Sequence, residues 1–120
     1  KASLELTQHL IDLGHKNIAF ISGEKEHQST LERLAGFKQA LADNKIRINS
    51  KFIVDGEYSF ESGVNAAKSL LTLEKKPTAI FSCNDDIAAG ALFASRLINV
   101  EIPQQLSIVG FENSPFSRQT

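Results

Sequence analysis

An alternation limits the possible folds of this chain more than any other feature. Four short runs rich in β-branched and aromatic residues occur in it: NIAFIS (17–22), FIVDGEY (52–58), TAIFSC (78–83) and LSIVGF (106–111). Between and before them, apolar residues recur at helical spacing. Leu6, Leu10 and Leu13 lie at i, i+4 and i+7 and stop at Gly14, placed as a C′ residue. Leu31, Leu34, Phe37, Ala40 and Leu41 form a second stripe, entered by a capping box of Ser29 and Glu32. Ser59 is positioned as the N-cap of a third helix carrying Phe60, Val64, Ala67, Leu70 and Leu71, which Lys76-Pro77 ends. A fourth helix, DDIAAGALFASRLI, follows the third run. The predicted order is α-β-α-β-α-β-α-β. Because the runs are apolar on both faces, the fold class is α/β, a parallel sheet with helices on both faces. No repeat or linker interrupts residues 1–120, which are expected to form a single domain.

Charge and composition remove several classes of function. Net charge is −1, and the 13 Lys and Arg are scattered, with Lys75 and Lys76 the only adjacent pair. No basic stripe is present to neutralise a run of phosphates, so this segment is not expected to bind nucleic acid by itself. The single cysteine, Cys83, lies in an apolar run and reads as a small buried hydrophobe, which makes the cytoplasm the default compartment. No signal-peptide pattern opens the chain, and no apolar run approaches the ~18 residues of a membrane span. The chain contains no Met, opens directly in a helical pattern and closes on NSPFSRQT, so both ends read as cuts from a longer protein.

In a parallel sheet all strand C-termini lie on one edge, and ligands bind in the crevice outside it. The residues placed there are Ser22 and Gly23, Glu57 and Tyr58, Asn84 and Asp85, and Glu112 and Asn113. An aromatic ring among hydrogen-bonding groups suits a small polar molecule with flat apolar faces. Strand-to-helix turns are polar in any α/β domain, so the pattern alone leaves both readings open. Catalytic and cofactor signatures are missing: there is no G-x-x-x-x-G-K-[ST], G-x-G-x-x-G or G-x-S-x-G. His9, His15 and His27 are dispersed and have no second ligand at metal spacing, so no metal site and no cofactor are expected. The adjacent carboxylates Asp85 and Asp86 follow Asn84, an N-cap residue. Their place in the first helical turn, near exposed N–H groups and the positive end of the dipole, explains them without catalysis. The chain is expected not to be an enzyme.

Five segments together carry a family resemblance: HLIDLGHKNIAFISG, STLERLAGFKQAL, DGEYSFESG, PTAIFSCNDDIAAGAL and VEIPQQLSIVGFEN. In order and spacing they resemble the carboxyl-terminal lobe of the effector-binding core of the lactose-repressor (LacI/GalR) family of bacterial transcription regulators, over essentially the whole chain. The resemblance implies one lobe of a periplasmic-binding-protein-like (type I) fold, which closes with a second lobe on a small effector of the sugar or nucleoside class. It also implies that operator DNA is bound by an amino-terminal helix-turn-helix, which, like the amino-terminal lobe, lies outside this chain. Carried over residue by residue, the family's effector-contacting arginine falls on Arg33, its stacking aromatic on Tyr58 and its cleft asparagine on Asn84. Its cleft carboxylate, usually Asp, falls on Glu112, one methylene longer, and this departure puts that role in doubt. Asp85 matches the family's helix-start aspartate. The small-residue helix containing Ala88, Ala89, Gly90 and Ala91 lies, by the same resemblance, where two subunits pair, so the full protein is expected to be a homodimer. Two other readings remain open. One is an exported sugar-binding protein of the same fold. The other is a flavodoxin-like or receiver domain using Asp85, Asp86 and Glu112, disfavoured because Ser22 and Gly23 stand where its early acidic pair belongs.

Overall fold

The computed structural model describes residues 2–24, 28–98 and 107–110. Among them the predicted order is found: α1 (Ala2–Asp12), β1 (Ile18–Ile21), α2 (Gln28–Asp43), β2 (Ile53–Val54), α3 (Phe60–Leu71), β3 (Ala79–Ser82), α4 (Asp85–Leu97) and β4 (Ser107–Gly110). One turn of 3-10 helix, Ser50–Phe52, leads into β2. The strands are all parallel and lie in the order β2-β1-β3-β4. Every residue of β1 and β3 is buried, which explains why their sequences show no alternation.

Topology and crossover handedness place the helices. From β1 the chain moves outward to β2, then returns past β1 to β3 and on to β4. Right-handed crossovers in these two directions put α2 on one face and α3 and α4 on the other. The packing agrees. Phe20 and Phe81 are in register on β1 and β3 and meet Phe37 of α2, with ring centroids 5.0 Å (Phe20–Phe37), 5.1 Å (Phe20–Phe81) and 6.0 Å (Phe37–Phe81) apart. On the same side α1 lies against α2, and Ser3 Oγ donates to the Arg33 carbonyl at 3.0 Å. On the opposite face α3 and α4 approach through glycines: a Cβ on Gly63 would strike the Ile87 carbonyl, and one on Gly90 would strike the Phe60 carbonyl.

Both helices of the first layer end in the same way. At α1 the Gly14 N–H bonds the Ile11 carbonyl (2.9 Å) and the His15 N–H the Leu10 carbonyl (3.2 Å), with Gly14 at φ +104°, the predicted C′ stop. At α2 the matching bonds run from Lys45 to Ala42 (3.0 Å) and from Ile46 to Leu41 (2.9 Å), but the left-handed residue, at φ +58°, is a lysine.

Several expectations need correction. The run 52–58 supplies only the two-residue strand Ile53–Val54, because Phe52 is drawn into the 3-10 turn capped by Asn49 Oδ1, which accepts from Lys51 N. Beyond Val54 the backbone turns toward α3: Glu57 N donates to Ser62 Oγ at 2.9 Å and Ser59 N to the Glu57 carbonyl at 2.8 Å. Helix α3 stops at Leu71, well before Lys76-Pro77. Ser29 lies inside α2 rather than ahead of it, and Glu32 accepts from Gln28 Nε2 at 3.1 Å. Three stripe residues, Leu13, Leu31 and Phe60, are about half exposed or more (63%, 50% and 46%), whereas polar Thr30 and Arg33 occupy the buried side of α2.

Candidate ligand-binding site

The order β2-β1-β3-β4 reverses direction between β1 and β3, so the crevice opens beyond the carboxyl ends of those two strands. Ser22 and Gly23 follow β1 there, and Cys83 and Asn84 follow β3. Asn84 is the N-cap of α4, with extended backbone (φ −154°, ψ 179°); its Oδ1 accepts from Ile87 N at 2.9 Å. This leaves the amide NH2 as the part of Asn84 able to donate elsewhere. Asp85 and Asp86 occupy the first turn of α4, as their charge favours. Ser59 caps α3 in the same way, accepting from Ser62 N at 3.1 Å.

Arg33 reaches this edge from the buried face of α2. Its residue is only 9% exposed, and Nη1 donates to the Cys83 carbonyl at 2.7 Å, one peptide before Asn84. This bond ties the middle of α2 to the end of β3 and holds a guanidinium, with a fork of further N–H donors, at the crevice.

Tyr58 sits in the turn between β2 and α3. Its hydroxyl lies 2.6 Å from Thr30 Oγ1, and its ring covers Gly23 so closely that any Cβ there would overlap it. Thr30 and Arg33 are one helical turn apart on α2, so one buried helix face positions both the aromatic ring and the cation. Sequence reasoning missed Thr30 and assigned no role of this kind to Gly23. A polar residue three positions before Arg33, replacing Leu31 on the buried side, was the available signal. Between β1 and β2, Ser22 Oγ lies 3.2 Å from Asp55 Oδ1 and 3.3 Å from the Val54 carbonyl, closing that side of the edge. Among the described residues Ser82 Oγ is buried without a partner, two positions before Asn84. Cys83 is fully buried, and burial pushes its thiol above the ordinary value, against a Gly23 backbone hydrogen bond and the Arg33 charge, which pull it down.

Three of the four predicted contact residues, Arg33, Tyr58 and Asn84, thus lie at the C-terminal edge of the sheet. The fourth, Glu112, lies outside the described residues. No group of three or more side chains suited to a metal ion occurs among the described residues, and none of their helices is long and apolar enough to cross a membrane.

The structure is thus a doubly wound parallel sheet whose switch point carries a buried cation, an aromatic ring and a capping amide. The family model described as a periplasmic binding protein-like domain matches residues 7–120, and the chain belongs to this family, alongside the LacI-type regulators. It is 37% identical over 118 residues to catabolite control protein A of Priestia megaterium, covering 98% of this chain and 36% of that protein. It is 42% identical over 112 residues to the ribose operon repressor of Haemophilus influenzae, covering 93% of this chain and 34% of that one. The chain therefore spans about a third of the length of these curated relatives. A solved sugar-binding transcriptional regulator of the LacI family from Escherichia coli superposes with a TM-score of 0.90 at 36% identity, over 98% of this chain and 42% of that one. These relatives are regulators of transcription rather than enzymes.

Proposed function

We propose that residues 1–120 form the carboxyl-terminal lobe of the effector-binding core of a LacI-type transcription regulator, and that Arg33, Tyr58 and Asn84 contact the effector. The observation that carries this reading is the convergence of a buried guanidinium, bonded to the Cys83 carbonyl, with the α4 N-cap amide at the switch point of the sheet. Arg33 offers N–H donors to hydroxyl or carboxylate oxygens, Tyr58 covers an apolar ring face, and Asn84 donates through its amide. The family resemblance assigns a carboxylate contact to Glu112, which lies outside the described residues. This chemistry fits a sugar or a nucleoside, and the likeness to a ribose operon repressor and a sugar-binding regulator supports the sugar class.

The remainder of the protein supplies a second lobe and an operator-reading helix-turn-helix, so that DNA is bound outside this segment, in the cytoplasm and without catalysis. An effector that prefers one arrangement of the lobes shifts the population toward it and alters operator affinity only by that difference in affinity. Pairing of two subunits is supported by apolar side chains left exposed on α3 and α4. Phe60 and Phe93 contact each other at 5.6 Å between centroids while each is nearly half exposed, and Leu97 beyond them is 61% exposed.

A thermal-shift screen of sugars and nucleosides against the full-length protein tests the reading. A sugar is expected to raise Tm in the wild type and to lose that effect in Arg33→Ala. If no sugar or nucleoside shifts the wild type, or if Arg33→Ala responds equally, the proposed site is wrong.

A further inference from the structure

The opposite edge of the sheet carries a second, unassigned feature. A groove of about 670 Å3 is bounded by three separate turns: Lys16 and Asn17 before β1, the stretch from Asn44 to Ser50 after α2, and Lys75 before β3. Lys16, Lys45, Arg47 and Lys75 all line it, and no carboxylate does. No ion pair to these four is found among the described residues. The chain as a whole has a net charge of −1, so this is a local segregation of positive charge rather than a reflection of composition. Each of the three turns follows a helix C-terminus, of α1, α2 or α3, where the dipole favours a cation, but the effect fades beyond the last turn and does not by itself gather four cations around one recess.

The backbone at Lys45 makes the same point independently. Helices α1 and α2 end in one and the same hydrogen-bonding motif, yet α1 places Gly14 at the left-handed position and α2 places Lys45 there. A side chain in that conformation carries a steric cost that glycine avoids. Lys45 thus lines the groove from a backbone position where the local fold alone prefers glycine.

We infer that this groove is a second binding site, taking a compact polyanion of the phosphate class. Four cations around one recess call for a ligand of high charge density. The amides of Asn17 and Asn49 add neutral hydrogen-bonding groups, and the guanidinium of Arg47 can fork onto phosphate oxygens. A strand of four residues rising about 3.3 Å each separates the groove from the Arg33–Asn84 edge by roughly 13 Å, so the two sites can be filled together.

Calorimetric titration of the full-length protein with inorganic pyrophosphate at low ionic strength tests this. The expected result is a saturable component that is at least about tenfold weaker in Lys45→Gln/Arg47→Gln. Lys16→Gln/Lys75→Gln, drawn from the other two turns, should weaken it similarly, and Asn84→Ser should leave it unchanged. All four cations are exposed, so the variants should keep the wild-type Tm. Titration curves of both double variants that superimpose on the wild type would overturn the inference. So would loss of the component in Asn84→Ser alone, which would move the anion to the cleft.

Discussion

The Arg33 guanidinium and the Cys83 carbonyl, 50 residues apart in sequence, are joined by a 2.7 Å hydrogen bond inside the protein. One side chain thereby fixes α2 against the end of β3 and presents a cation at the cleft. Removing it strips a charged donor from a buried carbonyl, so Arg33→Ala should lower the unfolding free energy by about 2 to 3 kcal/mol as well as weaken effector binding. Urea denaturation checks the first effect, and a loss under about 0.5 kcal/mol would show that the bond contributes little to the fold.

The contact between Thr30 and Tyr58 presets the aromatic wall, because the hydroxyl pair at 2.6 Å and the bare backbone of Gly23 leave the ring one place to lie. Thr30→Val and Tyr58→Phe should each cost about 1 kcal/mol, and the double variant should cost less than their sum. Strict additivity in a double-mutant cycle of denaturation curves would mean that the two hydroxyls do not interact.

The crossing of α3 and α4 has no room for a methyl group at Gly63 or Gly90, since backbone carbonyls occupy the space on both sides. Gly63→Ala and Gly90→Ala should each destabilise by about 3 kcal/mol through displacement of one helix from the other. Wild-type denaturation midpoints in both variants would contradict the close approach described here.

Burial raises the Cys83 thiol above its ordinary value. The folded state therefore holds its proton at pH values where the unfolded chain has released it. The associated stability is complete below the unfolded value of about 8.5 and is lost as pH rises toward the folded value. Between pH 7 and 10 the wild type should lose more stability than Cys83→Ala. Parallel pH profiles would show that the thiol is not responsible, and native-state labelling of Cys83 should be slow throughout.

The sequence made the element order and the parallel sheet readable because continuous apolar runs separated by helical stripes have few other solutions. The caps at Ser59 and Asn84 and the stop at Gly14 follow from local chemistry and appear as expected. The short β2 was hidden because FIVDGEY looks strand-like throughout, whereas Phe52 is taken into a 3-10 turn and Glu57 N bonds Ser62 Oγ on the next helix. The inward turn of Thr30 and Arg33 was hidden for a related reason. Periodicity assigns apolar residues to the core and left Leu31 there, whereas α2 buries polar Thr30 and Arg33 and leaves Leu31 half exposed. The basic groove escaped because its cations are far apart in the chain and only the turns at one sheet edge gather them.

The proposed cleft role of Asn84 can be separated from its capping role, because serine caps a helix about as well as asparagine but lacks the amide NH2. The decisive measurement is calorimetry of the full-length protein with the sugar that most stabilises it, comparing wild type with Asn84→Ser. An unchanged Tm without ligand is expected, with an affinity at least about tenfold weaker, the effect of one lost hydrogen bond of roughly 1.4 kcal/mol. Equal affinity in the two proteins would contradict the cleft role.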